Sequence, residues 1–180
     1  MPKKIIKSCL MMILLINCFG QSKEKAFIAK YEFEDFSQFN NVHIFIRGGD
    51  SEKNPIIMIN APNLVNDTSR VGLYVVILDK KKYQVIETKW TLTEYYVDAD
   101  TVKLQQLAQA FMKYEIPHLY VDIAGNVFVY LRDVETLALV RFANKSELLK
   151  RSKETKWIKV KDNWYKPCTA NNAVKSKKKG

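Results

Sequence analysis

The chain has 180 residues, 47% of them apolar and 27% charged, with a formal net charge of +10. That length suits one domain, and 12% aromatic residues offer enough surface to bury to exclude disorder along most of it. Only 6 Gly and 5 Pro exclude a collagen-like or flexible-linker chain, and 3 Cys exclude a disulfide scaffold.

Residues 1–20 read as a signal peptide. Lys3, Lys4 and Lys7 give a positive start, Cys9 to Ile16 is an unbroken apolar run, and Cys18 and Gly20 approximate the small-x-small pattern that a signal peptidase accepts. The run is much shorter than the roughly 20 apolar residues of a spanning helix. Cleavage is expected before Gln21. A second route competes, because Leu15-Ile16-Asn17-Cys18 resembles a bacterial lipobox, which makes Cys18 a lipidation candidate. Asn17 stands where that pattern carries a small residue, so soluble secretion is the better fit.

Loss of Lys3, Lys4 and Lys7 takes no acid with it and lowers the net charge to +7. Lys175, Lys177, Lys178 and Lys179 hold four of those charges in the tail, which leaves +3 on the body. A nucleic-acid-binding domain needs a basic stripe on the body itself, so nucleic acid is a poor partner class. Lys80-Lys81-Lys82 is the one internal basic run and reads as a solvated turn.

Gln21 to Pro167 is expected to fold as one α+β domain. Ala26 to Phe33 alternates and reads as a strand, as does Val42 to Arg47, which ends at Gly48-Gly49. Pro55 to Ala61 is a short apolar run, 63–70 a polar loop, and Val71 to Leu78 a strand buried on both faces. Tyr83 to Trp90 returns from the lysine turn to make a hairpin. Asp98 or Asp100 caps a principal helix, Val102 to Tyr114, whose Leu104, Leu107, Ala108 and Phe111 form one apolar stripe before Pro117. A three-strand meander follows, with turns at Asp122–Asn126 and Arg132-Asp133 and strands at 118–123, 127–131 and 136–142. A short helix from Asn144 or Ser146 toward Arg151 precedes a last hairpin around Asp162-Asn163, and 168–180 forms a basic, disordered tail. This order predicts a mostly antiparallel sheet with one principal helix packed on one face. No internal repeat of fixed period is visible, and the 71–90 and 119–142 regions share only general strand character.

Sites for chemistry are sparse. His43 and His118 are the only histidines, and neither has a Cys, Asp or second His at ligand spacing. A site formed by the two in space is the one metal reading left, short of the three protein ligands a catalytic zinc takes. Glu32, Glu34 and Asp35 cluster, and Asp98 and Asp100 flank the principal helix, but sequence supplies no carboxyl–carboxyl distance. No serine elbow and no phosphate loop occurs. Asn66-Asp67-Thr68 and Asn144-Lys145-Ser146 match glycosylation acceptors and matter only in a eukaryotic source. Cys168, the one cysteine of the mature body, lacks an intramolecular partner.

The expected function is therefore an exported cell-envelope binding or interaction protein without catalytic activity, with no catalytic, cofactor or metal residues assigned. The alternatives are a small envelope hydrolase whose carboxylates only the fold assembles, and a carrier of a small apolar ligand. The expected contact surface is the C-terminal hairpin, through Trp157, Lys159, Trp164 and Tyr165, because exposed aromatic rings bury much area at small entropy cost. Its lysines suit a protein or an anionic envelope component. Membrane contact is expected only through a lipid on Cys18.

Overall fold

The computed structural model describes residues 22–62, 73–90 and 100–168. The signal peptide with Cys18, the 63–70 loop with its glycosylation triplet, Tyr95, Tyr96, Asp98 and the basic tail from Thr169 lie outside them. The chain divides into two compact units, Met1–Glu34 and Asp35–Gly180.

In the first unit, the segment expected as a strand is helix α1, Lys23–Tyr31. Ser22 caps it by accepting from the Lys25 backbone N–H, Glu24 lies in the first turn and Lys30 in the last, each favourable to the helix dipole. Phe27 and Tyr31 are four residues apart, and their rings meet at 4.8 Å. Alternation suggested a strand because Phe27, Tyr31 and Phe33 also fall at odd positions. The cap and the i, i+4 ring pair decide for the helix.

Among the described residues, the second unit is built on one antiparallel sheet of nine strands. They are β1 Val42–Gly49, β2 Pro55–Asn60, β3 Leu73–Leu78, β4 Val85–Trp90, β5 His118–Val121, β6 Val127–Tyr130, β7 Leu139–Arg141, β8 Trp157–Lys161 and β9 Trp164–Pro167. Their spatial order is β4-β3-β2-β1-β5-β6-β7-β9-β8. Helix α2, Thr101–Met112, is capped by Asp100 and contacts β2, β3 and β4. Leu104, Leu107, Ala108 and Phe111 are its buried residues, the stripe expected from the sequence. The face it covers carries Ile44, Ile57, Ile59, Val76 and Leu78, all buried. Gln105 ties the helix to that face by donating to Thr88 on β4. The α+β architecture with one principal helix on the sheet is as the sequence predicts.

The strands fall into two triplets that share one turn chemistry. β1, β2 and β3 lie on one side of the β1–β5 seam, and β5, β6 and β7 on the other. In the first triplet Asp50 Oδ1 accepts from the backbone N–H of Glu52 and of Asn54, and Oδ2 accepts from the Asn54 side chain. Asn54 Oδ1 then accepts from the Lys80 N–H beyond β3. In the second, Asp122 Oδ1 accepts from Ala124 and Asn126, Oδ2 accepts from the Asn126 side chain, and Asn126 Oδ1 accepts from the Ala143 N–H beyond β7. The fourth turn residue takes positive φ in both, 64° at Lys53 and 81° at Gly125. The sequence hides this correspondence. Only the Asp and the Asn recur, and the spans from Asn to the third strand differ, since Asn54 reaches Lys80 and Asn126 reaches Ala143.

Helix α3, Lys145–Arg151, capped by Asn144, follows the second triplet. Its Leu148 packs against the cluster of Phe128, Val140 and Phe142 on the face of the sheet opposite α2. The third meander strand is shorter than expected: only Leu139–Arg141 pairs, because Asp133 closes a turn over Glu135 and Thr136.

Candidate functional site: a ring cluster at the seam

Strand alternation decides which side chains share the seam. In β1, Val42 and Ile44 point toward the core and His43 and Phe45 toward the other face. In β5, Leu119 and Val121 are buried, and His118 and Tyr120 take the other face. The register sets His43 opposite Tyr120 and Phe45 opposite His118. One strand further on, Tyr120 faces Phe128 and His118 faces Tyr130. Two rows of rings thus cross the seam.

The rings are in contact. His43 stacks on Tyr120 with centroids 3.5 Å apart, and His118 stacks on Tyr130 at 4.0 Å. Tyr120 stacks on Phe128 at 5.2 Å, and Phe45 meets His118 edge-on at 5.6 Å. The two histidines, diagonal neighbours in the register, come within 5.9 Å. Stacked rings cover one another's faces, so the cluster offers ring edges rather than open ring faces. His43, Phe45, His118, Tyr120 and Tyr130 are each half-buried.

The protonation state follows from the contacts. His118 Nδ1 lies 2.8 Å from the Val134 carbonyl oxygen. A carbonyl only accepts, so Nδ1 carries the proton and donates it. Nε2 is then the acceptor, and it is buried with no hydrogen-bond partner. Burial holds the pKa of His118 below the ordinary histidine value, against a smaller upward effect of the Val134 bond. Burial, with His118 as a second cause, does the same for His43. Burial also raises both phenols. All four shifts favour the uncharged form.

As a metal site the pair falls short, because no group of three or more His, Cys, Asp or Glu side chains comes together among the described residues. Local pattern places each histidine on a separate strand without setting the strand order. Only the β1–β5 pairing joins them, so the cluster was beyond the reach of spacing arguments.

A polar network borders the cluster. Arg151 of α3 donates to Asp122 Oδ2 at 2.6 Å and lies over the Phe128 ring at 4.9 Å. Asn126 donates to Glu147 at 2.9 Å. These contacts fix α3 over the β6–β7 part of the face, beside Tyr120.

The C-terminal hairpin is present as β8–β9, but its residues differ in availability. Trp164 is completely buried and pairs with Arg141 in register, so its ring closes the core and is withdrawn from any partner. Its indole alternates to the core side of β9, which hydrophobicity alone left open. Trp157 and Tyr165 are half-buried and both press on Phe142, at 5.2 and 5.4 Å. Lys159 is exposed. The hairpin therefore presents lysine more than aromatic surface.

The carboxylates serve turns. Asp50, Asp79 and Asp133 each have a pKa below the ordinary value, chiefly because backbone N–H groups of their own turns donate to them. Asp35 is lowered in the same way by Ser37. Among the described residues, hollows lie at two places in this unit. One, of about 400 Å³, is lined by Asp35, Ser37, Asn40, Ile123 and Arg141, and the other, of about 310 Å³, by Phe142, Leu148, Asp162 and Tyr165.

No family model matches the chain, no curated protein matches it, and no solved structure matches it.

Proposed function

We propose that the protein is an exported interaction protein of the cell envelope, without catalytic activity, that holds a polypeptide partner on the ring cluster at the β1–β5 seam. The observation that carries this reading is the set of five half-buried rings in mutual contact on one face of the sheet. Rings already fixed against each other lose little entropy on binding, and Tyr edges and hydroxyls suit backbone amides. A sugar stacks on an open ring face, and here the stacked pairs cover such faces, so a polypeptide fits better than a glycan. Export rests on the basic start and apolar run of residues 1–20.

The test is a pair of substitutions on the full chain. Tyr120→Ala and Tyr130→Ala are expected to abolish recovery of the envelope partner while α2-side stability, read by urea unfolding, falls only modestly. Lys159→Glu is expected to leave recovery unchanged. Recovery that survives both tyrosine changes and is lost with Lys159→Glu would move the contact to the β8–β9 hairpin, where the exposed Lys159 suits an anionic partner.

A further inference from the structure

We infer that His118, with His43 beside it, makes the β1–β5 seam an acid-sensitive latch, which holds the ring cluster closed at neutral pH and loosens it in mild acid. This rests on the reading of the cluster as the contact surface, and it names that surface's regulation.

The latch has two parts. His118 Nδ1–H holds the Val134 carbonyl, in the connection between β6 and β7, against β5. The second nitrogen, Nε2, is buried without a partner. A proton arriving there becomes a buried N–H donor with nothing to accept it, and the ring becomes a buried cation. Both cost free energy unless the ring swings toward water. Swinging out gives up the Val134 bond and the 4.0 Å stack on Tyr130. The ring 5.9 Å away is His43, so charging both places two like charges together.

No described carboxylate offsets this charge. On β1 the neighbours are His43 and Phe45, on β5 Tyr120, and on β6 Phe128 and Tyr130. On β2, Asn60 lies in register with His43, and its buried Oδ1 has no partner, so it offers an acceptor to His43 and none to His118. In the β6–β7 connection the charged groups are Arg132, Asp133 and Glu135, all exposed, with Asp133 accepting from the Glu135 and Thr136 N–H groups. Asp122 and Arg151 act on Tyr120 and satisfy one another.

The direction of the pH effect follows from the lowered histidine pKa values. In the unfolded chain a histidine titrates near 6.5, and in the folded chain lower. Between the two the unfolded chain binds more protons. The stabilisation is whole above about pH 6.5 and is lost as pH falls from there through the folded value.

The experiment uses the full chain without a partner, so its outcome is separate from that of partner recovery. Histidine ring resonances are followed from pH 8 to 4.5, and thermal unfolding is recorded at pH 7.5 and 5.0. Both histidines are expected to titrate below 6.5, and the melting temperature to fall by about 3–5 °C between the two pH values. In His43→Phe/His118→Asn, which keeps a ring at 43 and an N–H donor at 118, that fall is expected to shrink by more than half. Histidines titrating at or above 6.5, or a variant that loses as much as the wild type, would overturn the latch. If the double variant fails to fold, the wild-type resonances decide alone.

Discussion

The turns at Asp50–Asn54 and Asp122–Asn126 make the same hydrogen bonds and sit in different surroundings. In the first, Asp50 is half-buried beside the buried Asn54, and Asn54 adds only a 3.5 Å contact to Glu52 of its own turn. In the second, Asp122 and Asn126 are buried, and Arg151 and Glu147 of α3 reach in to complete them. A local device that closes a hairpin in one triplet thus anchors a helix in the other. What differs is the desolvation of the aspartate, because a buried carboxylate must find partners that water supplies to a half-buried one. At the seam where the triplets meet, ring side chains from both form a single cluster.

The helices give the widest separation. Phe111→Ala empties a completely buried site under α2 and should cost about 3–5 kcal/mol, read by urea unfolding. Leu148→Ala, on the half-buried α3, should cost about 1–2 kcal/mol, since less area leaves the core. Equal costs would mean that α3 is as much a core element as α2. The turn aspartates come next. Asp122→Ala should cost about 2–4 kcal/mol, because Arg151 and Asn126 lose a buried acceptor, with a discount for the partial exposure of Arg151. Asp50→Ala should cost clearly less in the same measurement. A reversed order would show that the two turns are not weighted by burial.

The positive-φ position sharpens the comparison further. Gly125→Ala should cost about 1 kcal/mol through backbone strain, since the nearest atom to an added Cβ, Ala143 Cβ at 3.8 Å, leaves room. Lys53→Gly should be neutral to stabilising by about 0.5 kcal/mol, because strain relief opposes the greater freedom of the unfolded chain. The smallest effect concerns acid. Asp50, Asp79 and Asp133 have lowered pKa values, so their contribution is present above the ordinary carboxylate value near 3.9 and is lost as pH falls through the folded values. A melting profile should therefore show a second, shallower decline below about pH 4, and Asp133→Asn should weaken only that decline.

Much of the fold could be read from local pattern. The α2 stripe, the Asp100 cap, the Asp162-Asn163 hairpin and the Asn144 start of α3 each depend on neighbours in sequence. Residues 23–31 misled because Phe27, Tyr31 and Phe33 fit a period of two as well as a helical one. The ring cluster was hidden for a different reason. His43 and His118 are 75 positions apart in the numbering, and nothing local says that β1 and β5 pair. The turn duplication was hidden because two residues in five recur while the connecting spans do not. Trp164 shows the converse limit, where strand phase and not residue type decides which indole enters the core.

The central claim is that the seam cluster is the contact surface. The most direct measurement is site-specific photo-crosslinking in the living host, with a photoreactive phenylalanine analogue at position 130 in the cluster or at position 149, where Leu149 is exposed on α3. The account predicts a discrete polypeptide adduct from position 130 at pH 7.5, weakened at pH 5.0, and none from position 149. The same adducts from both positions, or adducts from 149 alone, would contradict it.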